Sequence, residues 1–162
     1  GSFRLESQHD RQMFNFPISS GTSGHLIGGV FAVVVLGPFA GTIVISIVLA
    51  IQMLFFADGG LLAIGANIIN MAVVGSLGCY YVYYYLKKFV PEWLAIVAAA
   101  WLSVVLAATV CSLQVGFSGT IPLSDVMPSM LKVHVIIGIA EGLITLVMVK
   151  VFRQMRNSEE QP

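Results

Sequence analysis

The apolar residues of this chain form long runs, separated by short polar or glycine-rich breaks. The runs cover 26–36, 39–56, 61–86, 92–117 and 126–155. A helix rises about 1.5 Å per residue, so the last four runs are long enough to cross a hydrocarbon core about 30 Å thick. Continuous rather than alternating runs indicate helices instead of a membrane β-barrel. The pattern therefore predicts an all-α, polytopic transmembrane bundle with about five spans or part-spans.

The first run is too short to cross the membrane, because residues 26–36 reach only about halfway before Gly37-Pro38 interrupts them. We therefore expect 25–56 to form a helical hairpin with a short first arm. One long kinked helix is the alternative. Two glycine pairs have the small-xxx-small spacing that lets helices approach closely: Gly24 with Gly28, and Gly37 with Gly41.

Polar segments flank the apolar part of the chain. Residues 1–15 are too polar to cross a bilayer, and we treat Gly1-Ser2 as a cloning remnant. The transmembrane helical domain is expected over 16–156, with a loop at 19–24 because that stretch is rich in serine and glycine. The polar tail, 157–162, is expected to be disordered.

Basic residues predict the orientation. The tyrosine-rich stretch 80–85 precedes Lys87-Lys88, and tyrosines beside lysines are typical of a membrane–water interface on the cytoplasmic side. Two spans later the last helix also ends in basic residues: Lys150, Arg153 and Arg156. Both ends therefore predict a cytoplasmic C-terminus, with the loops that contain His25, Asp58 and 118–125 on the outer face.

Composition agrees with a membrane protein and limits its function. Apolar residues make up 57% of the chain and charged residues 10%, whereas soluble domains carry about 25% charged residues. The net charge is zero and there is no basic patch, so nucleic acid is not an expected partner. Cys79 and Cys111 lie in separate runs without a CxxC motif, which favours packing roles. The sequence contains no Walker P-loop, so any ATP hydrolysis is expected in another subunit. It contains no HExxH motif either.

His25 is the first candidate for chemistry, because a polar, glycine-rich stretch delivers it to the beginning of an apolar run. Imidazole suits nickel, cobalt, zinc and copper, and flanking glycines let backbone groups approach a ligand closely. A histidine that makes ordinary hydrogen bonds at a helix start is the commoner alternative. Asp58, in the next glycine-rich turn, is more typical of a turn former or helix cap than of a metal ligand.

Other polar residues lie inside the apolar runs. Asn67 and Asn70 are one helical turn apart, and Gln52 in the preceding run could join them. His134 and Glu141 are seven residues apart, which places them on one face of the last helix. Buried amides need partners, and ionisable groups in hydrocarbon are costly to keep. These residues either join helices by hydrogen bonds or support a ligand histidine from behind.

Six stretches of the sequence resemble the CbiM/NikM family: 12–17, 21–29, 36–38, 55–61, 65–71 and 133–145. The resemblance implies the substrate-capturing membrane component of an energy-coupling factor (ECF) transporter for Co²⁺ or Ni²⁺, in the cytoplasmic membrane of a prokaryote. It also implies three kinds of partner, namely a small accessory membrane subunit, a coupling transmembrane subunit and paired ATPases. No cofactor is expected, since the metal ion is the substrate.

The resemblance further implies that the metal is held by an initial Met-His, through its terminal amine, backbone and side chain, and by one later histidine, His25 here. The stretch before Gln12 is polar and contains neither an initial Met-His nor apolar helices, so we expect a truncated form or a separate N-terminal piece. His9 is a less favoured candidate to replace the missing ligands. A non-transporting helical membrane scaffold is the second hypothesis. An intramembrane metalloenzyme ranks last, because it would need at least three protein ligands.

Overall fold

The computed structural model describes residues 16–18, 22–24, 28–56 and 60–159, which form a short β-hairpin followed by a helical bundle. The elements are β1 (Phe16–Ile18), β2 (Thr22–Gly24), α1 (Gly29–Leu36), α2 (Pro38–Phe56), α3 (Gly60–Asn67), a π-helical segment (Ile68–Gly78), α4 (Cys79–Leu86), α5 (Glu92–Phe117) and α6 (Leu123–Glu159). β1 and β2 pair antiparallel, with Phe16 opposite Gly24 and Ile18 opposite Thr22. The predicted loop at 19–24 is therefore wrong for 22–24, because a three-residue strand is too short to show alternation.

Four helical stretches are long and apolar enough to cross a membrane: Pro38–Phe55, Leu61–Leu86, Glu92–Phe117 and Leu123–Glu159. The second of these spans, Leu61–Leu86, is continuous and consists of α3, the π-helical segment and α4. Together with α1 as a part-span, these helices confirm the prediction of an all-α bundle with about five spans or part-spans in the described part of the chain.

The first two helices form the predicted hairpin. Gly37 has a φ of 89°, a conformation that glycine adopts without strain, and the chain reverses there. Ala32 in α1 packs in one cluster with Ile45 in α2. A methyl group added at Gly41 would lie 2.6 Å from the backbone nitrogen and Cα of Val33. The two arms therefore lie side by side, which excludes one long kinked helix.

A π-helical segment forms the middle of the second span, Leu61–Leu86. The hydroxyl of Ser76 donates to the carbonyl oxygen of Met71, five residues earlier, at 2.8 Å. A methyl group added at Gly75 would lie 3.2 Å from the carbonyl oxygen of Asn70 and 3.5 Å from that of Ser103 in α5. The segment thus packs its backbone against α5. π-Helical turns usually occur singly and often at functional sites, so eleven residues in this form are unusual.

α5 and α6 make the most extensive contact in the bundle, and glycines in α6 bring them together. A methyl group added at Gly138 would lie 2.9 Å from Cδ1 of Trp101, and one at Gly142 would lie 3.0 Å from the carbonyl oxygen of Val97. The indole nitrogen of Trp101 donates to the carbonyl oxygen of Val135 at 3.2 Å. Gly138 and Gly142 are a third small-xxx-small pair, which was not singled out in the sequence.

An ion pair ties three helices together at one end of the bundle. The guanidinium of Arg153 donates to both carboxylate oxygens of Glu92, each at 2.9 Å. The phenol of Tyr83 donates to Glu92 Oε1 at 2.6 Å. Lys87 Nζ lies 4.9 Å from the centroid of the Tyr83 ring. The ends of α4, α5 and α6 are therefore joined by polar contacts as well as by packing.

The last helix is longer than expected. α6 continues through Glu159, so the predicted disordered tail is wrong for 157–159, while 160–162 lie outside the described residues. The backbone extends one more turn into water, where charged and polar side chains are readily solvated. The hydroxyl of Ser158 donates to the carbonyl oxygen of Gln154 at 2.9 Å within that turn.

Candidate functional site

Three candidate residues, His9, His25 and Asp58, lie outside the described residues. The elements on either side of His25 are described, with β2 ending at Gly24 and the chain resuming at Gly28.

Glu141 lies at the middle of the apolar part of α6. Lys132 and Lys150 flank that part, each nine residues from Glu141. The two lysines are eighteen positions apart, which corresponds to about 27 Å of helix and is close to the thickness of a hydrocarbon core. The Glu141 side chain is only 3% exposed. A carboxyl group is thus buried at mid-depth in the bundle.

The backbone amide of Gly28 donates to Glu141 Oε1 at 2.7 Å. Gly28 is the residue immediately before α1, and its φ of 65° favours glycine. The N-terminus of a helix carries partial positive charge from its unpaired N–H groups, so it is a favourable neighbour for a carboxylate. The sequence thus places a glycine where α1 meets a buried acidic side chain.

α1 begins deep in the bundle because its eight residues cover only half of the membrane. Val30 packs in one cluster with Val149, and the Phe31 ring meets the Phe152 ring edge to face at 6.4 Å. β1 and β2 also contact α6. The end of the loop at Gly28 therefore lies between helices at the depth of Glu141. The expectation that the loop containing His25 lies on the outer face concerns residues 25–27, which are outside the described residues, whereas Gly28 at its end contacts Glu141.

His134 is buried two turns away from Glu141 on the same side of α6. Its Nδ1 lies 2.8 Å from the carbonyl oxygen of Met130. A carbonyl oxygen can only accept, so Nδ1 carries the hydrogen, and a neutral ring keeps a lone pair on Nε2. Seven residues correspond to about 10.5 Å along the axis, too far for a direct hydrogen bond between His134 and Glu141.

Asn70 forms a reciprocal amide pair with Gln114 of α5. Its Nδ2 donates to Gln114 Oε1 at 2.8 Å, and Gln114 Nε2 donates to Asn70 Oδ1 at 2.9 Å. Asn70 is buried, whereas Asn67 and Gln52 are half-buried. Within the described residues, no hydrogen bond joins Asn67 or Gln52 to this pair. The sequence pointed to Asn70 but not to Gln114, although an isolated amide in an apolar run is itself a signal that it needs a partner.

No group of three His, Cys, Asp or Glu residues that could hold a metal ion occurs within the described parts of the chain. The buried side chains of these types in the described parts are the Glu141 carboxyl group, the imidazole of His134 and the thiol of Cys79.

A family model described as the cobalt uptake substrate-specific transmembrane region, CbiM, matches residues 11–159. The chain belongs to the CbiM family. That match covers both ends of the segment that contains His25 and the whole of the helical bundle. It places the chain among membrane transport components rather than enzymes.

Relatives of this CbiM-family chain are longer than it is. Archaeoglobus fulgidus NikMN is 42% identical over 136 residues, which are 83% of this chain and 46% of the relative. The cobalt transport protein CbiM of Thermosipho melanesiensis is 31% identical over 150 residues, covering 88% of this chain and 63% of the relative. The chain thus spans about half to two thirds of the length of these relatives.

The same fold occurs in a solved structure. The crystal structure of a truncated transition metal transporter matches with a TM-score of 0.81 and 30% sequence identity. The match covers 88% of this CbiM-family chain and 74% of the other chain. The bundle and its short first arm are therefore a shared architecture.

Proposed function

We propose that this chain is the substrate-binding membrane component of an ECF-type transporter that takes up Co²⁺ or Ni²⁺, with His25 as its imidazole ligand. The observation that carries the proposal is the 2.7 Å hydrogen bond from the Gly28 amide to Glu141 in the middle of the membrane. It fixes the end of the His25 segment, three residues from the proposed ligand, in a buried place beside an acidic side chain. Family membership supports a transported metal as the ligand.

The proposed mechanism is capture without chemical change of the substrate. The hydrated ion exchanges water for nitrogen ligands, for which both Co²⁺ and Ni²⁺ have high affinity. Glu141 positions the His25 segment through the Gly28 amide, and a carboxylate in a medium of low dielectric constant also favours a nearby cation. Asn67, Asn70 and His134 are proposed to support the site from behind, together with Asp58 and Gln52. Movement driven by partner subunits would release the ion.

The proposed setting is the cytoplasmic membrane of a prokaryote, with 16–156 as the transmembrane domain and 1–15 as a polar segment outside the helices. The basic residues at one end of the bundle support a cytoplasmic C-terminus, since cytoplasmic ends carry an excess of lysine and arginine. The proposed partners are a small accessory membrane subunit, a coupling transmembrane subunit and paired ATPases. The ATPases are proposed because the resemblance to the family implies them, and since the sequence contains no Walker motif, any ATP hydrolysis would occur in another subunit.

The test is uptake of ⁶³Ni²⁺ and ⁵⁷Co²⁺ by cells that carry the complete transporter. His25→Ala should abolish uptake, whereas His9→Ala should leave it unchanged. Glu141→Leu removes the acceptor for the Gly28 amide and should lower uptake strongly. Glu141→Gln should retain more uptake than Glu141→Leu, because it keeps an acceptor oxygen. It should still take up less than the parent, since a hydrogen bond to a charged group is stronger than a neutral one by about 1 kcal/mol. Normal uptake in His25→Ala with intact assembly would support the scaffold hypothesis instead.

A further inference from the structure

The end of the bundle that contains the Glu92–Arg153 ion pair is strongly basic. Within the described residues it holds five cations and two carboxylates: Lys87, Lys88, Lys150, Arg153 and Arg156 against Glu92 and Glu159. The charged residues near the opposite end of the described helices are Asp125 and Lys132. We call the first end the basic end. The described cations at the basic end therefore outnumber its described carboxylates.

A surface cavity of about 390 Å³ opens at the basic end. Its lining residues all have polar side chains and follow one face of the last turns of α6: Lys150, Arg153, Gln154, Asn157 and Ser158. These positions recur at intervals of three and four residues, so their side chains stand above one another on the helix. The cavity therefore presents two cations and two side-chain amides on a single face.

Arg153 is held in place at this cavity. Its two hydrogen bonds to Glu92 use two of the five N–H donors of the guanidinium. Glu92 forms a salt bridge with Arg153, and among the described residues no salt bridge involves Lys150. The cavity thus combines an ordered guanidinium that retains donors with a lysine whose charge no described carboxylate neutralises at contact distance.

The cavity adjoins a surface that faces lipid. Beside this polar face of α6 runs an exposed apolar stripe, which consists of Val147, Val151 and Met155. Lys88 lies in the turn after α4, and its ammonium is 4.6 Å from the centroid of the Tyr84 ring. Tyrosine with lysine is typical of the headgroup region of a bilayer. Polar and apolar stripes therefore meet where a phospholipid has its headgroup and the beginning of its acyl chains.

We propose that the basic end binds an anionic phospholipid. Its headgroup phosphate contacts Lys150 and Arg153, the Asn157 amide donates a hydrogen bond to it, and an acyl chain lies on the stripe of Val147, Val151 and Met155. Charge complementarity selects an anionic lipid over a zwitterionic one, because each basic side chain near the membrane surface strengthens binding to anionic lipid about fivefold. Such binding is independent of the metal site.

The experiment titrates the purified full chain in a neutral detergent with dioctanoyl phosphatidylglycerol and follows its thermal unfolding. The unfolding temperature should rise with phosphatidylglycerol and not with dioctanoyl phosphatidylcholine. Lys150→Gln should raise the half-saturating lipid concentration about fivefold. Lys132→Gln removes the same charge from the other end of the same helix, so it serves as the matched control and should leave that concentration unchanged.

Three outcomes would overturn the proposal. Equal effects of the two lipids would remove the selectivity for negative charge. Stabilisation by inorganic phosphate at the same concentrations would show a site for a free anion rather than for a lipid. An unchanged titration of Lys150→Gln would leave the basic end as a surface for an acidic protein partner. Because Lys150 is exposed, its substitution does not endanger folding.

Discussion

The close contact between α1 and α2 makes a sharp prediction for Gly41→Ala. The added methyl group would lie 2.6 Å from the backbone nitrogen and Cα of Val33 and 2.7 Å from the carbonyl carbon of Ala32. Carbon atoms pack favourably at about 3.5–4.0 Å, so the two helices must separate by roughly 1 Å. The nearest atoms belong to the backbone of α1, so no change of side-chain rotamer can relieve the clash.

The expected cost follows from two opposing effects. Overpacking costs about 1–3 kcal/mol, and a rigid backbone obstacle belongs at the upper end of that range. Replacing glycine by alanine in a helix returns about 1 kcal/mol. We therefore expect Gly41→Ala to lower the free energy of unfolding by about 2 kcal/mol. Metal binding should weaken as well, since displacing α1 strains the bond between the Gly28 amide and Glu141.

Gly65→Ala is the matched control. Gly65 also lies inside a helix of the bundle, but a methyl group there would meet nothing within 4 Å. This variant should be as stable as the parent or up to about 1 kcal/mol more stable. Reversible unfolding in mixed micelles, followed by the fluorescence of Trp93 and Trp101, measures both variants. If Gly41→Ala proved as stable as Gly65→Ala, the hairpin could not have the close approach described above.

Two further predictions concern polar contacts. Asn70→Leu and Gln114→Leu should each destabilise the chain, and the double variant should lose less than their sum by about 0.6–1.7 kcal/mol, the range for hydrogen bonds between membrane helices; strict additivity in a double-mutant cycle would refute the pair. Glu92→Gln should cost less than about 1 kcal/mol, because the side chains of Arg153 and Glu92 are 40% and 44% exposed. That cost should shrink in high salt, and a salt-independent loss would contradict a solvent-screened ion pair.

Much of the bundle could be predicted from the sequence, because hydrocarbon thickness restricts both the length and the composition of a span. The break at Gly37-Pro38 predicted the hairpin. The π-helical segment could not be predicted, since α- and π-helical turns draw on the same apolar residues and differ only in which carbonyl each amide selects. The spacing of Gly138 and Gly142 was readable, but their partners in α5 depend on how the two helices align.

The site was less predictable than the fold. A buried amide such as that of Asn70 needs a hydrogen-bond partner, and this could be predicted. The partner, Gln114, lies 44 residues away in sequence, and nothing in the sequence around Asn70 identifies Gln114. The depth of Gly28 follows from the shortness of α1, but the residue before a membrane helix is ordinarily expected near the surface. Contacts between distant elements, such as that of Gly28 with Glu141, require the three-dimensional arrangement.

The π-helical segment also bears on how the protein matches its bilayer. Leu61–Leu86 has 26 residues, which as a regular α-helix would be about 39 Å long and exceed a core of about 30 Å. Wider turns hold more residues in the same height, so the span becomes shorter without extra tilt. A change that converted this segment to α-helix would lengthen the span and create hydrophobic mismatch. The protein would then be most stable in bilayers of longer acyl chains. Reconstitution in lipids of graded acyl-chain length can measure this change.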